Sequence, residues 1–219
     1  DDNKQSQKAL DDKYMAKIQS LMKDMTNKNE KPTTDAYNAL LRALAQHTNL
    51  PDKAQKAESV LFGLLEKCKT DAVLRPNADS FYYTLQASRG TPYPKVESLW
   101  QLQTALWRQT AGVNKEDAAS LTPTVRNLNA ATAALAASRL PNKAAKAQIW
   151  TTEWPALVEE VGQAASHHKM ELNVNSYKNI LSAAAHTSRH APLRERRLAL
   201  EIALGVRQHL LLQPSTSTS

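Results

Sequence analysis

The sequence predicts an all-α fold, a helical-repeat solenoid of stacked antiparallel helix pairs, and three observations carry that expectation. First, a phrase returns: PTTDAYNALLRALAQ near the start and TPTVRNLNAATAALAAS past the middle, each followed by a polar loop and a second Ala-rich helical stretch. Second, alanine and leucine dominate a chain that is 42% hydrophobic, with only five glycines and two phenylalanines, and runs such as Ala130 to Ala137 favour helix. Third, no convincing stretch shows the apolar and polar alternation of a half-buried strand.

Aligning the returns gives the period. Tyr37-Asn38-Ala39 matches Leu128-Asn129-Ala130, and the same register pairs Leu44 with Leu135 and Lys56-Ala57 with Lys146-Ala147 after a small loop difference. Weaker copies begin at Phe81-Tyr82-Tyr83 and Tyr177-Lys178-Asn179, so the anchors at 37, 81, 128 and 177 are spaced by 44, 47 and 49 residues. That length suits a two-helix unit with a generous loop and excludes short repeats.

Residues 11 to 25 place Met15, Ile18, Leu21, Met22 and Met25 at three- and four-residue intervals, which predicts an amphipathic helix within an N-terminal cap of residues 1–31. Four helix pairs then fill residues 32–212, starting near 33, 77, 124 and 173, and residues 213–219 form a polar tail. Each unit opens on capping chemistry: Pro32-Thr33-Thr34-Asp35, Pro76-Asn77-Ala78-Asp79, Thr122-Pro123-Thr124 and Asn173-Val174-Asn175-Ser176. Short side-chain oxygens there accept from the free amides of a first helical turn. The first pair is expected over about 35–46 and 52–67, with Ala57, Val60, Leu61, Leu64 and Leu65 buried. The second partner helix carries Val96, Leu99, Trp100, Leu102, Leu106 and Trp107. The third carries Ile149, Trp150, Trp154, Leu157, Val158 and Val161, with Pro155 expected to kink or divide it. Breakers at Pro51, Pro92, Pro94, Pro141 and Pro192 fall inside the units.

The formal charge is +7, from 28 Lys and Arg against 21 Asp and Glu, which permits a polyanionic partner without requiring one. The excess concentrates late, where Arg189, Arg194, Arg196, Arg197 and Arg207 meet only Glu195 and Glu201. Such a cluster is either an anion-binding patch or a solvated helix face whose arginine stems cover apolar surface. The single cysteine, Cys68, excludes an internal disulfide, and its position suits a small apolar residue at a helix end. No run approaches the roughly 18 apolar residues of a membrane span.

Signals for catalysis, metal or cofactor binding are weak. His186 and His190 share a helical spacing, but HTSRH lacks the glutamate of the HExxH metalloprotease pattern, and His167-His168 splay apart on a helix. The five glycines are too scattered to cradle a phosphate, and no serine or cysteine sits in a nucleophile elbow. The four tryptophans lie on two helix faces, Trp100 with Trp107 and Trp150 with Trp154, as core packing between units requires. The expectation is a protein that is not an enzyme, with no cofactor, metal or small-molecule substrate.

In register, the junction LMKDMTNKNEKPTTDAYNALLRALA resembles the pentatricopeptide repeat family, and RPNADSFYYTLQA and ELNVNSYKNILSAAA resemble looser versions of it. The resemblance covers about 11 to 212, although units of 44 to 49 residues exceed that family's length of about 35. It implies a right-handed superhelix whose first helices line a groove for single-stranded RNA, in a mitochondrion or plastid. By the same resemblance, a residue near the start of a first helix reads one base together with the last residue of its unit. That gives Asn38 with Asn77, Tyr82 with Thr124 and Asn129 with Asn173, and Lys178 opens an incomplete fourth site. The two Asn pairs look like a pyrimidine-type combination, while Tyr82 suits stacking and Lys178 a phosphate. Asparagine near a helix start is also an ordinary capping residue. A protein-binding scaffold or accessory subunit of a large organellar assembly, such as a ribosome or respiratory or photosynthetic complex, fits the same helical array.

Overall fold

A computed structural model describes residues 13, 16, 20, 32–47, 50, 52–91, 95–162, 171–187 and 191–212. Nine helices are assigned among them: α1 (Thr34–Gln46), α2 (Lys53–Cys68), α3 (Ala78–Ala87), α4 (Val96–Ala111), α5 (Lys115–Leu121), α6 (Val125–Ala137), α7 (Lys143–Gly162), α8 (Val174–Ala185) and α9 (Leu193–Leu212). No strand occurs among the described residues. The expected cluster of Met15, Ile18, Leu21, Met22 and Met25, and the tail 213–219, lie outside them; Lys13, Ala16 and Ser20 are helical and exposed.

The helices begin where the capping chemistry falls. Thr33 accepts from the Ala36 amide at 3.3 Å. Asn77 with Ser80, Thr124 with Asn127, and Asn173 with Ser176 each form a reciprocal box, in which the cap side chain takes one amide and the third helical residue returns a bond to the cap. Such caps are worth about 1 kcal/mol each. They therefore set where four helices start, at the positions the repeated phrase marks.

Packing follows the same order. The first helices lie side by side, α1 on α3, α3 on α6 and α6 on α8, and each packs on its own partner: α2, α4, α7 and α9 respectively. Each partner also touches the next first helix, α2 against α3, α4 against α6 and α7 against α8. Fully buried Ala131, Ala134 and Ala183 leave room for close helix approach, while Phe81, Leu85, Leu128 and Leu135 fill the space between. Trp100 meets Trp150 and Trp154 at ring-centroid distances of 6.0 and 6.2 Å, which ties α4 to α7 through aromatic contact. All four tryptophans are buried.

Three details depart from the sequence reading. A short helix, α5, occupies the stretch between α4 and α6; Asn114 caps it, and Gln103 Nε2 on α4 donates to the Leu121 carbonyl at its end. This element accounts for part of the enlarged second unit. Helix α7 is not divided at Pro155, which stands exposed on its surface, and Thr151, whose carbonyl is deprived of its donor, is half-buried. Ile149 is 49% exposed, because the tryptophans fill the buried face of that helix. Cys68 closes α2 as a free, half-buried thiol donating to the Leu65 carbonyl.

Beyond the helix starts, two charged groups hold turns together. Lys143 is buried with no carboxylate partner among the described residues and donates to the Ala136 and Ser138 carbonyls at 3.0 and 2.9 Å, satisfying the end of α6. Burial lowers its pKa. Asn142 beside it takes φ 54°, a left-handed conformation that asparagine tolerates in a tight turn. Glu58, also buried, pairs with Lys95 at 3.2 Å and joins α2 to the start of α4.

Candidate nucleic-acid interface

Because the caps of the four first helices are equivalent, so are the positions that follow them. Counting five residues from Thr33, Asn77, Thr124 and Asn173 gives Asn38, Tyr82, Asn129 and Lys178. Asn38, Tyr82 and Asn129 stand at the junction with the next first helix, Lys178 lies on α8, the last of the four, and the three junctions are built differently.

At the first junction, Asn38 Nδ2 on α1 donates to Asn77 Oδ1 at 3.1 Å, and Asn38 Oδ1 accepts from Ser80 Oγ at 2.6 Å. Asn77 Oδ1 also caps α3 by accepting from the Ser80 amide. Asn38 is only 8% exposed, and both of its polar atoms are committed, one to Asn77 Oδ1 and one to Ser80.

The second junction pairs no amides. Tyr82 is half-buried, and the Arg126 guanidinium carbon lies 3.6 Å from its ring centroid. Arg126 also bonds Asp79 Oδ1 at 3.0 Å and sits 5.6 Å from the Tyr83 ring. Thr124 serves as the cap of α6, with its hydroxyl directed to Asn127, whose own Nδ2 donates to the Ala78 carbonyl at 2.8 Å. Burial opposes the charge on Arg126, but Tyr82, Tyr83 and Asp79 outweigh it and hold its pKa above the ordinary value.

At the third junction Asn129 Nδ2 donates to Asn173 Oδ1 at 3.1 Å, repeating the first pair. Here the serine does not reach across: Ser176 Oγ donates to Asn173 Oδ1 at 3.4 Å, and Asn129 Oδ1 is buried with no partner among the described residues. Asn179 from α8 donates to the Asn129 carbonyl at 2.9 Å and fixes the helices at this point. Asn173 and Lys178 are exposed.

The second and third junctions open onto one cleft of about 430 Å³ between α3, α6 and α8. Tyr82, Asn129, Asn173 and Lys178 line it, joined by Gln86, Arg89, Arg126, Asn175 and Asn179. Three cations and a row of amides thus face this space, with no carboxylate among the described lining residues, while Asp79 pairs with Arg126 from beside it. Lys53 lies close enough to Arg89 to be affected by it: burial, then the Arg89 charge, lowers the Lys53 pKa. Asn38 and Asn77 do not line this cleft, and Thr124 contributes only through its cap.

Arg194, Arg196 and Arg197 are exposed on α9, away from the cleft lining and next to Leu193, Leu200 and Leu204, which are 57, 61 and 53% exposed. Arg189 and the side chain of Arg207 lie outside the described residues. Sequence reasoning missed Arg89 and Arg126. Arg126 was visible in one respect, since it follows its cap by two residues where the other first helices carry Asp35, Asp79 and Asn175. Its stack on Tyr82 joins residues 44 positions apart, and nothing local signals that contact.

Among the described residues, no group of three or more His, Cys, Asp or Glu side chains could hold a metal ion, and no helix is long and apolar enough to cross a membrane. His186 Nδ1 lies 2.7 Å from the Ser182 carbonyl, and His190 is outside the described residues. No family model, curated protein or solved structure matches the chain.

Proposed function

We propose that the chain is a non-catalytic RNA-binding protein, a pentatricopeptide-like solenoid of right-handed helix pairs that holds a short single strand across the α3–α6–α8 cleft. The observation that supports this reading is the cleft lining: Arg89, Lys178 and the Asp79-paired Arg126, with no carboxylate among the described lining residues, beside the Asn129–Asn173 amides. The cations supply phosphate neutralisation, which dominates affinity and makes it salt-dependent. The amides supply a donor and an acceptor for a base edge. Asn38 and Asn77, already satisfied by Ser80, serve as a clasp between helices, so the strand contacts fewer positions than the four equivalent starts. By its resemblance the chain works in a mitochondrion or plastid.

The test is fluorescence anisotropy with labelled single-stranded RNAs, one pyrimidine-rich and one purine-rich, between about 50 and 200 mM salt. Binding that falls steeply over this range supports the reading; salt-independent binding, or none, rejects it. A second reading, a protein-binding accessory subunit of an organellar assembly, draws on the exposed Leu193, Leu200 and Leu204 beside arginines on α9. Purification of the native complex with and without ribonuclease separates the two, because only protein-mediated assembly survives digestion.

A further inference from the structure

We propose that Arg126, rather than Tyr82, is the platform on which a base stacks in the cleft, an inference that rests on the RNA reading above. The ring of Tyr82 is already covered on one side, since the Arg126 guanidinium lies 3.6 Å from its centroid, and its neighbour Tyr83 meets it edge-on at 5.1 Å. The guanidinium is held from two directions, by the ring beneath and by Asp79 Oδ1 at 3.0 Å from Nη1. Its side chain nevertheless remains 52% exposed and lines the cleft, so the face opposite Tyr82 is the one available to a ligand.

A fixed guanidinium plane is a good partner for a planar base. It stacks on the base through its π-face, keeps its charge for a neighbouring phosphate, and loses little freedom on binding because Tyr82 and Asp79 already orient it. Asp79 occupies one terminal nitrogen of a group that carries five N–H donors. Arg126 and Asn129 stand three residues apart on α6, hence on one face of the helix. A base lying on Arg126 therefore presents its edge toward the Asn129–Asn173 pair, where Asn129 Oδ1 lacks a donor. Because that atom is buried, a base N–H reaches it only as the amide turns out of its bond to Asn173. Tyr82 acts as the underlay that holds the platform, and Asp79 as its tether.

The experiment compares wild type with Arg126→Lys, which keeps the charge and removes the plane, on a short single-stranded RNA and on an abasic ribose-phosphate strand of equal length. Wild type is expected to prefer the strand with bases, and Arg126→Lys to reduce that preference by about tenfold with an unchanged salt slope. Asp79→Asn, which loosens the guanidinium without removing it, should give a smaller loss. A preference that survives Arg126→Lys, or equal weakening on both strands, overturns the platform while leaving RNA binding intact. Failure of wild type to bind either strand rejects the RNA reading and the platform with it.

Discussion

The first and third junctions use the same three residue types in the same register, Asn38–Asn77–Ser80 and Asn129–Asn173–Ser176, and end in different states. In the first, the serine hydroxyl crosses to Asn38 Oδ1 at 2.6 Å and closes a buried network. In the third, the hydroxyl stays with its own cap, and Asn129 Oδ1 has no partner beside a basic cleft. A closed polar network specifies how two helices sit, whereas a buried unpaired acceptor costs about 1–3 kcal/mol and calls for an explanation. Identical letters therefore end as a closed network or as a pair with one unsatisfied acceptor, and packing around them decides which.

The largest expected effect comes from the cleft charges, which the third junction has nearby and the first does not line. Replacing Arg89 and Lys178 together by alanine should reduce the salt slope by about 1.4 and RNA affinity by about 25-fold near 0.1 M salt, at about 0.7 per lost phosphate contact. Anisotropy across a salt series measures both, and an unchanged slope would remove the cleft from the account. Next, Asn38→Ala should lower stability by about 1–2 kcal/mol, because Asn77 and Ser80 lose a buried partner, and should leave RNA affinity unaltered. Urea denaturation beside the binding assay tests that pairing.

Asn129→Ala should behave in the opposite way. Loss of its bond to Asn173 is offset by removal of the orphaned acceptor, so stability should change by only about 0.5 kcal/mol while RNA affinity falls by about fivefold. If the two substitutions cost equal stability and equal affinity, the distinction between clasp and contact collapses. The smallest effect concerns the far end of α6. Burial lowers the Lys143 pKa from 10.5, so the folded protein holds that proton less tightly than the unfolded chain. Stability from this group rises with pH between the lowered folded value and 10.5, and the penalty is fully present below that window. Lys53 acts in the same direction. Lys143→Met should therefore shrink, without abolishing, an alkaline rise in stability measured by denaturation at successive pH values.

Much of the fold was legible because it is written in local chemistry. Asn77, Thr124 and Asn173 announce helix starts, and alanine and leucine at helical spacing mark what is buried; the helix bounds of the first pair differ from expectation by one residue. Helix α5 was hidden because KEDAASL is short and polar, and its anchor, Gln103 to the Leu121 carbonyl, is a tertiary contact. Pro155 does not divide α7, and it stands on the exposed side of that helix. At the candidate site, the family resemblance pointed to Tyr82, Asn129, Asn173 and Lys178, and these four line one cleft. Register alone could not separate Asn38 from Asn129, since burial and the reach of one serine hydroxyl distinguish them. Nor could it find Arg126, whose place over Tyr82 depends on how α3 and α6 pack.

The most direct test follows the asparagine side-chain amides by NMR as a short single-stranded RNA is added, with assignments made from the single substitutions. The account predicts that the Asn129 and Asn173 resonances shift with RNA while those of Asn38 and Asn77 stay in place. Movement of the Asn38 and Asn77 signals instead, or equal movement of all four, would contradict it.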